Sequence, residues 1–347
     1  MITREQSPLN VEMPFSKLDG FITPNDDFYV RDHFPVPRVD VKMWRLKVEG
    51  AVETPFEIGY EALLEMEMRT ITATLECAGN SRAFLQPPPD ATLWELGAVG
   101  NAEWTGVPLS AVLERAGMTS DAVDVILEGA DHGEAEKSPR PAGALHFSRS
   151  VPRRKACHDV LLALMMNGTP LSPAHGFPVR AIVPGWYAAA SVKWLARIVV
   201  SDRPFAGYFQ SIDYSYWERR EGLPTLVPIQ ELQVKAEIAR PAIGEVVPAR
   251  SDYRMHGAAW TSEVEIVKVE ISDNSGATWR DAKLIGQPVP NAWQLWEFDW
   301  RTPAVPGKVT LLARATDARG RTQPREHQAD RGHYLISHCL PIAVDVR

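Results

Sequence analysis

The sequence beyond Asp252 constrains the fold of this chain more than any other feature. Short runs of alternating apolar and polar residues recur there, as in VEIVKVEIS and WQLWEFDW, and turn signals such as DNSG and PG separate them. No stretch of this region repeats its apolar residues with a helical period. Several short strands at such spacing are typical of two packed sheets, so an all-β sandwich of immunoglobulin type is predicted.

The preceding part of the chain has a different texture, which predicts a second domain. The chain has 347 residues, more than one hydrophobic core usually supports. Helical and strand patterns are mixed up to about Leu223, where a proline-spaced segment, LPTLVPIQELQVKAEIARPAIGEVVPARS, is typical of a linker. We therefore predict a mixed α+β domain over residues 1–225 and an all-β domain over residues 226–347.

The charge and the N-terminus limit the partners and the location. With 37 basic and 44 acidic residues the formal net charge is −7, which disfavours nucleic acid and anionic membranes as partners. No segment reaches the roughly 18 consecutive apolar residues of a membrane span. The start, MITREQSPLNVEMPF, has no apolar core of an export signal. It predicts a cytoplasmic location for this form, and a periplasmic one if a signal has been removed.

An alternating run leads to the first candidate functional residue. In RTITATLEC, Ile71, Leu75 and Cys77 share one face of a predicted strand, and threonines occupy the other face. The strand delivers Cys77 to a buried position at its end, where Ala-Gly-Asn lets the backbone turn closely. Further along, GVPLSAVLERAGM has the apolar spacing of a helix, and DVILEGAD is predicted as a strand that ends at Asp131.

The three cysteines are Cys77, Cys157 and Cys339, without a CxxC or CxxCH motif. This pattern predicts no disulfide framework, no cysteine-rich zinc site and no c-type haem attachment. Cys157 and Cys339 are predicted to be small buried core residues. Cys77 differs, because Arg31 and Arg82 nearby would lower the pKa of its thiol. From the residues alone, a metal ligand, a cysteine nucleophile and a core thiol remain open.

Seven stretches of the chain occur in the order found in one enzyme family. They are TPNDDFYVRDHFPVP, TLECAGNSR, LWELGAVGNAEWTGVPL, DVLLALMMNG, HGFPVRAIVPG, SVKWLARI and FQSIDY. The later GAAWTSEVEIVKVEISDNSGATW is similar to the family's dimerisation domain. The chain therefore resembles the sulfite oxidase family of molybdenum-cofactor enzymes, in a stand-alone bacterial form. The resemblance implies a sulfite-oxidase-type α+β molybdopterin-binding domain, an immunoglobulin-like dimerisation domain and a homodimer.

The resemblance implies a molybdenum-molybdopterin cofactor and no haem in this chain. Cys77 matches the cysteine whose thiolate binds the metal. The other matching cofactor positions are Phe28, Arg31 and His33 around the pterin, Asp131 at the pterin ring, and His175, Arg180, Ser191, Val192 and Lys193 at the phosphate end. Such cations and backbone donors in one pocket suit a dianionic phosphate.

The resemblance also implies catalytic residues beside Cys77. Arg31 and Arg82 match arginines of the family's anion pocket, Trp94 matches its tryptophan, and Tyr214 matches the tyrosine beside the reacting oxygen. Two cations lower the cost of burying an anion, and Tyr214 offers it a hydrogen bond. The implied reaction is oxidation of sulfite to sulfate by oxygen-atom transfer at molybdenum. Electrons would pass to a separate acceptor, a cytochrome or oxygen.

Three departures from the family pattern leave the substrate open. Ser81 and Ala190 stand where family members carry arginines, and Pro341 falls where another pocket arginine is expected. Fewer positive charges would weaken the binding of a dianion. A sulfane-sulfur dehydrogenase and a reductive oxotransferase of the nitrate or sulfoxide type are therefore alternatives within the family. A non-catalytic binding module is the alternative from another class.

Overall fold

The computed structural model describes residues 1–135 and 138–347, and strands dominate it. The α-helices are α1 (Tyr60–Leu64), α2 (Leu109–Ala116) and α3 (Arg153–His158). After α3, residues 159–347 contain isolated 3-10 and π-helical turns and no further α-helix, and the structure describes every residue of this range. No helix in the described ranges is long and apolar enough to cross a membrane. The strands in chain order are β1 (Ile2–Glu5), β2 (Asn10–Glu12), β3 (Val30–Arg31), β4 (Arg45–Gly50), β5 (Phe56–Gly59), β6 (Arg69–Glu76), β7 (Val99–Pro108), β8 (Asp124–Glu134), β9 (Ala144–Pro152), β10 (Leu161–Met166), β11 (Thr169–Pro170), β12 (Arg180–Ile182), β13 (Leu195–Ser201), β14 (Ser215–Arg220), β15 (Leu223–Pro228), β16 (Lys235–Arg240), β17 (Val246–Val247), β18 (Asp252–Trp260), β19 (Ile266–Ser272), β20 (Arg280–Asp281), β21 (Lys283–Ile285), β22 (Gln294–Arg301), β23 (Gly307–Asp317) and β24 (Ile342–Val346).

Mostly antiparallel sheets and short helices build the first half of the chain, up to about residue 225. β1, β2 and β3 form a small antiparallel sheet. A second sheet has the order β11–β10–β7–β6, with β12 also paired to β10. A third has the order β5–β4–β13–β8–β9, in which β4 and β13 run parallel. This is the predicted α+β class, and strands from all three of these sheets reach the site described below.

Two sheets build the second half of the chain, from about residue 226 onward. Their strand orders are β16–β18–β22–β21 and β17–β24–β23–β19–β20. This all-β half agrees with the predicted sandwich. Its core is rich in tryptophan, since four of these side chains are at most 1% exposed: Trp260, Trp293, Trp296 and Trp300. The predicted boundary between residues 225 and 226 falls inside β15, which pairs with β14 as a hairpin; the boundary itself stays a prediction.

Local sequence patterns predicted the end of one helix correctly and the end of one strand incorrectly. The helix α2 buries the residues that its spacing predicted and ends at Gly117, whose φ of +67° is a conformation that glycine adopts without steric cost. The strand β8 differs from the prediction because it does not end at Asp131. It continues to Glu134, since after an irregularity in register His132 pairs with His146 of β9.

The strand β6 is buried on both faces at its C-terminal end. Thr74 and Glu76, on the polar face, are as buried as Leu75 and Cys77 on the apolar face. The hydroxyl of Thr74 donates to Asn101 at 3.0 Å and accepts from the backbone N–H of the second half's Trp293 at 2.7 Å. The second half therefore covers the polar face of the strand that delivers Cys77.

The core role of α2 predicts the effect of one substitution. Leu113→Ala should lower the free energy of unfolding by about 2–5 kcal/mol, because Leu113 is 1% exposed and its truncation leaves a cavity. Leu223→Ala removes the same atoms from a side chain that is 68% exposed, and should change stability by less than about 0.5 kcal/mol. Urea unfolding of both cofactor-free variants is the measurement. Equal losses would contradict the burial of α2.

Candidate functional site

Two cavities meet at the side chain of Cys77. One, of about 640 Å³, also contains His175, and we call it the His175 cavity. The other, of about 1830 Å³, also contains Tyr334, and we call it the Tyr334 cavity. Arg31, Cys77 and Tyr214 line both cavities, as does His33. A group held in the His175 cavity would therefore meet a molecule in the Tyr334 cavity beside the Cys77 sulfur.

The His175 cavity brings together all the residues that the sequence predicted around the cofactor. They come from the segment around β3, the end of β6, β8 and the segment that runs from before β12 to β13, and only tertiary packing unites them. Tyr29 and Trp194 also line this cavity and were not predicted. The predicted residues in its lining are Phe28, Arg31, His33, Cys77, Asp131, His175, Arg180, Ser191, Val192 and Lys193.

One end of the His175 cavity is cationic. Arg180 donates to the backbone oxygens of His175 and Ser191, each at 3.2 Å, and Lys193 forms an ion pair with Asp32. Burial lowers the pKa of Arg180 to about 10, so it stays charged at neutral pH. Burial and the nearby Arg180 lower the pKa of His175 to about 4, so its ring is neutral. A buried arginine and a largely buried lysine in one cavity suit a dianion such as a phosphate.

Two buried polar atoms of this cavity test whether a molybdopterin fits. Asp131 Oδ1 and Arg180 Nε have no hydrogen-bond partner among the described residues. Burial raises the pKa of Asp131 to about 7, although Lys193 acts in the opposite direction. A buried acceptor and a buried donor are costly unless a ligand satisfies them. A molybdopterin carries N–H donors on its ring and an anionic phosphate, so the residues fit this group.

The backbone around Cys77 is held firmly. Its N–H donates to the carbonyl of Ala98, and its carbonyl accepts from the N–H of Asn80, both at 2.9 Å. Burial raises the pKa of the Cys77 thiol and outweighs the opposing effect of Arg82 and Arg31. The predicted lowering of this pKa by the two arginines is therefore wrong for the cofactor-free chain. A bound metal ion would deprotonate the thiol directly.

The other two cysteines differ in their exposure to solvent. Cys339 is buried, as predicted, whereas Cys157 in α3 is exposed, so the prediction of a buried core residue there was wrong. Both are free thiols. Within residues 1–135 and 138–347, no group of three or more His, Cys, Asp or Glu side chains is arranged to hold a metal ion.

Tyr214 lies where the two cavities join and is held from several sides. Its hydroxyl is 2.6 Å from Nε2 of His33. Burial raises the pKa of Tyr214, so the phenol stays protonated. The fully buried Arg149 donates to the carbonyls of Phe209 at 2.5 Å and Ile229 at 2.6 Å, and its guanidinium lies 5.7 Å from the centre of the Tyr214 ring. Arg149 was not predicted, because a lone arginine in a strand gives no signal.

Both halves of the chain contribute to the Tyr334 cavity. Arg82 donates through Nε to the carbonyl of His333 and through Nη1 to that of Thr92, each at 3.0 Å. Its guanidinium lies 5.1 Å from the centre of the Tyr334 ring, and the Tyr334 hydroxyl donates to Asp213 at 3.1 Å. Tyr334 and Asp213 were not predicted. Tyr334 belongs to the second half, and nothing in its local sequence points to the cavity.

Four positions singled out in the sequence line neither cavity. Trp94 is fully buried and packs in the same apolar cluster as Cys77. Pro341 is exposed, so the charge loss inferred there does not apply to these cavities. Ala190 is buried, and Ser81 is buried with its hydroxyl 2.9 Å from Nζ of Lys235. An arginine at 81 would bring a second cation against that lysine.

Comparisons with known proteins agree with this site. The chain matches the family models described as "Oxidoreductase molybdopterin binding domain" over residues 33–209 and "Mo-co oxidoreductase dimerisation domain" over residues 227–331. It is 35% identical to sulfite oxidase of Gallus gallus over 341 residues, which cover 92% of this chain and 72% of that protein. It is 32% identical to nitrate reductase [NADH] 1 of Arabidopsis thaliana over 357 residues, with 91% and 38% covered. The crystal structure of the sulfane dehydrogenase SoxCD from Paracoccus pantotrophus superposes with a TM-score of 0.82 at 27% identity, covering 96% of this chain and 84% of that chain.

The fold and the site define a molybdopterin-dependent oxidoreductase, with a buried cavity that ends at one cysteine and a dimerisation-type β domain behind it. The chain belongs to the sulfite oxidase family. The family, the fold class and the enzyme class predicted from the sequence are thereby confirmed, which favours an enzyme over a non-catalytic binding module. The chain spans 60% of the mouse enzyme's length and 58% of the fruit-fly enzyme's length.

The buried carboxyl group of Asp131 predicts a pH dependence of stability. Its pKa rises from 3.8 to about 7 on folding, so the associated stability is present below pH 3.8 and is lost as the pH rises through about 7. Asp131→Asn should therefore stabilise the cofactor-free chain by about 1–4 kcal/mol near pH 8, and the gain should shrink towards zero near pH 4. Urea unfolding across this range is the measurement.

Asp90→Asn is the control for this series, because Asp90 is an exposed carboxylate. It should change stability little at any pH in the range. If Asp131→Asn gives the same gain near pH 4 as near pH 8, burial of an ionised Asp131 is not the cause.

Proposed function

We propose that this protein oxidises sulfite to sulfate with a molybdenum-molybdopterin cofactor held in the His175 cavity. The observation that carries the proposal is the Cys77 side chain at the junction of two cavities, with Arg31 and Tyr214 lining both. The cofactor, when bound, supplies oxygen-atom transfer at the metal. The chain's own residues bind the cofactor and hold the anion beside it.

The proposed cofactor contacts follow from the chemistry of the lining. Cys77 supplies a soft thiolate ligand for the metal. Arg180 and Lys193 neutralise the phosphate end, where Ser191 and Val192 also lie. Asp131 accepts hydrogen bonds from the pterin ring, which would satisfy its unpartnered Oδ1. The remaining contacts that we assign to the pterin are Phe28, Arg31, His33 and His175.

The proposed substrate site lies in the Tyr334 cavity beside Cys77. Arg31 and Arg82 provide two cations there, and a cation in a poorly solvated pocket attracts an anion more strongly than it would in water. Tyr214 stays protonated and donates a hydrogen bond to the bound anion. Trp94 does not line this cavity, and we assign it a supporting role because it belongs to the same buried apolar cluster as Cys77.

A second candidate reaction is the oxidation of sulfane sulfur. The similarity to SoxCD favours it. The charge of the Tyr334 cavity favours it as well, because four described acidic residues line it beside only two arginines. An acidic lining weakens the binding of any small dianion, sulfite and thiosulfate alike, and favours sulfane sulfur that is carried on a less charged molecule. The four acidic residues are Glu5, Asp90, Glu134 and Asp213.

We further propose that two copies of the chain associate through the second half, from about residue 226 onward. The match of residues 227–331 to a dimerisation domain supports this. In the proposed reaction water supplies the oxygen atom and releases two protons, and the two electrons taken from the substrate pass on to a separate acceptor, a cytochrome or oxygen.

A steady-state assay tests the proposed function. Protein from a host that makes the cofactor is analysed for molybdenum and assayed with sulfite, thiosulfate, a sulfoxide and nitrate, using an artificial one-electron acceptor or donor. We expect stoichiometric molybdenum and efficient sulfite turnover. Turnover of thiosulfate without turnover of sulfite would favour the second candidate, and turnover of the sulfoxide or nitrate alone would favour a reductive oxotransferase. Protein without molybdenum would refute all three.

The metal-ligand role of Cys77 predicts the result of a matched pair of substitutions. Cys77→Ser should lower sulfite oxidation by at least about 100-fold, because it removes the soft ligand, and should leave the fold intact. Cys157→Ser makes the same change at an exposed thiol and should leave turnover unchanged. Turnover, molybdenum content and circular dichroism are measured for both. Full activity in Cys77→Ser, or unfolding of that variant, would contradict the ligand role.

The charges of the Tyr334 cavity predict two opposite effects on KM. Arg82→Gln should raise the KM for sulfite by about 10- to 100-fold, because a charge-assisted contact is lost. Asp213→Asn should lower it by about two- to fivefold, because a nearby negative charge is removed. Molybdenum content is the control that separates substrate binding from cofactor loss. Shifts of both KM values in the same direction would contradict an electrostatic role for this lining.

A further inference from the structure

A buried ion cluster lies next to the end of β6 and lines neither cavity. Lys235 is 0% exposed, and its Nζ lies 2.9 Å from each of Glu76 Oε1, Glu237 Oε1 and Ser81 Oγ. The three donors of the ammonium group are therefore all used. The indole N–H of Trp260 donates to the other oxygen of Glu76 at 2.8 Å. We call these five residues the Lys235 cluster.

The Lys235 cluster holds both ends of the turn that carries Cys77. Glu76 precedes Cys77, and Ser81 closes the turn with a φ of +72°, a left-handed conformation that is uncommon outside glycine. The Ser81 hydroxyl donates to Glu237 Oε1 at 2.9 Å. Within the turn, the Asn80 amide donates to Glu76 at 3.3 Å and to Glu237 at 3.2 Å. Lys235 and Glu237 belong to β16, in the second half of the chain.

Burying a lysine and two carboxylates between two halves of a protein costs free energy, because all three charges lose their contact with water. Apolar residues of similar volume often stabilise such a contact as well or better, and buried ions are best accounted for where they specify one geometry. Here the specified geometry is that of the turn at residues 77–80. The cluster constrains the residue before Cys77 and the residues after it at the same time.

We propose that Lys235 is a positioning residue for Cys77, and that the second half thereby orients the sulfur towards the point where the two cavities meet. The inference rests on the proposed role of Cys77 as the metal ligand. Changing a group that holds a metal ligand in place typically costs about 10- to 100-fold in metal affinity or activity. The second half then shapes the site as well as joining two copies of the chain.

A matched pair of tryptophans separates positioning from general stability. Trp260 and Trp300 are both at most 1% exposed, and each donates its indole N–H to a carboxylate, Glu76 at 2.8 Å and Asp273 at 3.0 Å. Trp260→Phe removes a hydrogen bond to the buried Glu76, and Trp300→Phe removes one to the partly exposed Asp273, so both variants should have a lower Tm. The carboxylate that Trp260 contacts adjoins Cys77, whereas Asp273 lies in the turn after β19.

The first measurement uses the cofactor-free chain, in a Cys157→Ser background that removes the exposed thiol. The rate of Cys77 alkylation by iodoacetamide, located by peptide mass mapping, should change by about tenfold in Trp260→Phe and by less than about twofold in Trp300→Phe. Lys235→Met should change the rate at least as much as Trp260→Phe. If Lys235→Met does not fold, the tryptophan pair decides the question.

The second measurement uses the molybdenum-loaded protein. The sulfur-to-metal absorption band should shift in Trp260→Phe and not in Trp300→Phe, and kcat should fall with little change in KM. Equal alkylation rates of Cys77 in the two variants would overturn the proposal and leave the cluster as a joint between the two halves. The alkylation result needs neither cofactor nor substrate, so a failure of the proposed reaction would be seen separately in the turnover of the unmodified protein.

Discussion

Burial of the polar end of β6 against the second half is the constraint on which the site depends. Thr74 and Glu76 have lost contact with water, so each needs a hydrogen-bond partner inside the protein. The second half supplies partners through Trp293, Trp260 and Lys235. Cys77 follows this strand directly, and its place between the two cavities is therefore determined by both halves of the chain.

Desolvation is the first cause of the altered pKa values around the His175 cavity. It raises the pKa of Cys77 in spite of two nearby arginines, raises that of Asp131 to about 7 and lowers that of His175 to about 4. The thiol, the carboxyl group and the imidazole are all shifted towards their neutral forms by the same effect. Arg180 remains charged, so the cavity combines a cationic end with groups whose ionisation would depend on what is bound.

Motifs in the sequence were sufficient to predict residues that come together in space. Cys77, Asp131 and Arg180 lie in or next to strands whose apolar patterns are clear, and all of them line the His175 cavity. The signals failed where contacts cross between distant segments. Tyr334 stacks under Arg82 from a stretch with no motif, and Arg149 reaches three carbonyls from within a strand. No local sequence pattern indicates contacts between segments that are far apart in the chain.

By itself the sequence determined the periodicities of the strands and helices, and with them the α+β half, the all-β half and the place of Cys77 at a strand end. These features are local, because a repeat of two or 3.6 residues is set by neighbours along the chain. Only the tertiary structure decided that the pKa of the Cys77 thiol is raised instead of lowered. It also decided that Ser81 lies against Lys235. Desolvation and ion pairing depend on every atom packed around a group, and those atoms come from segments far apart in the chain.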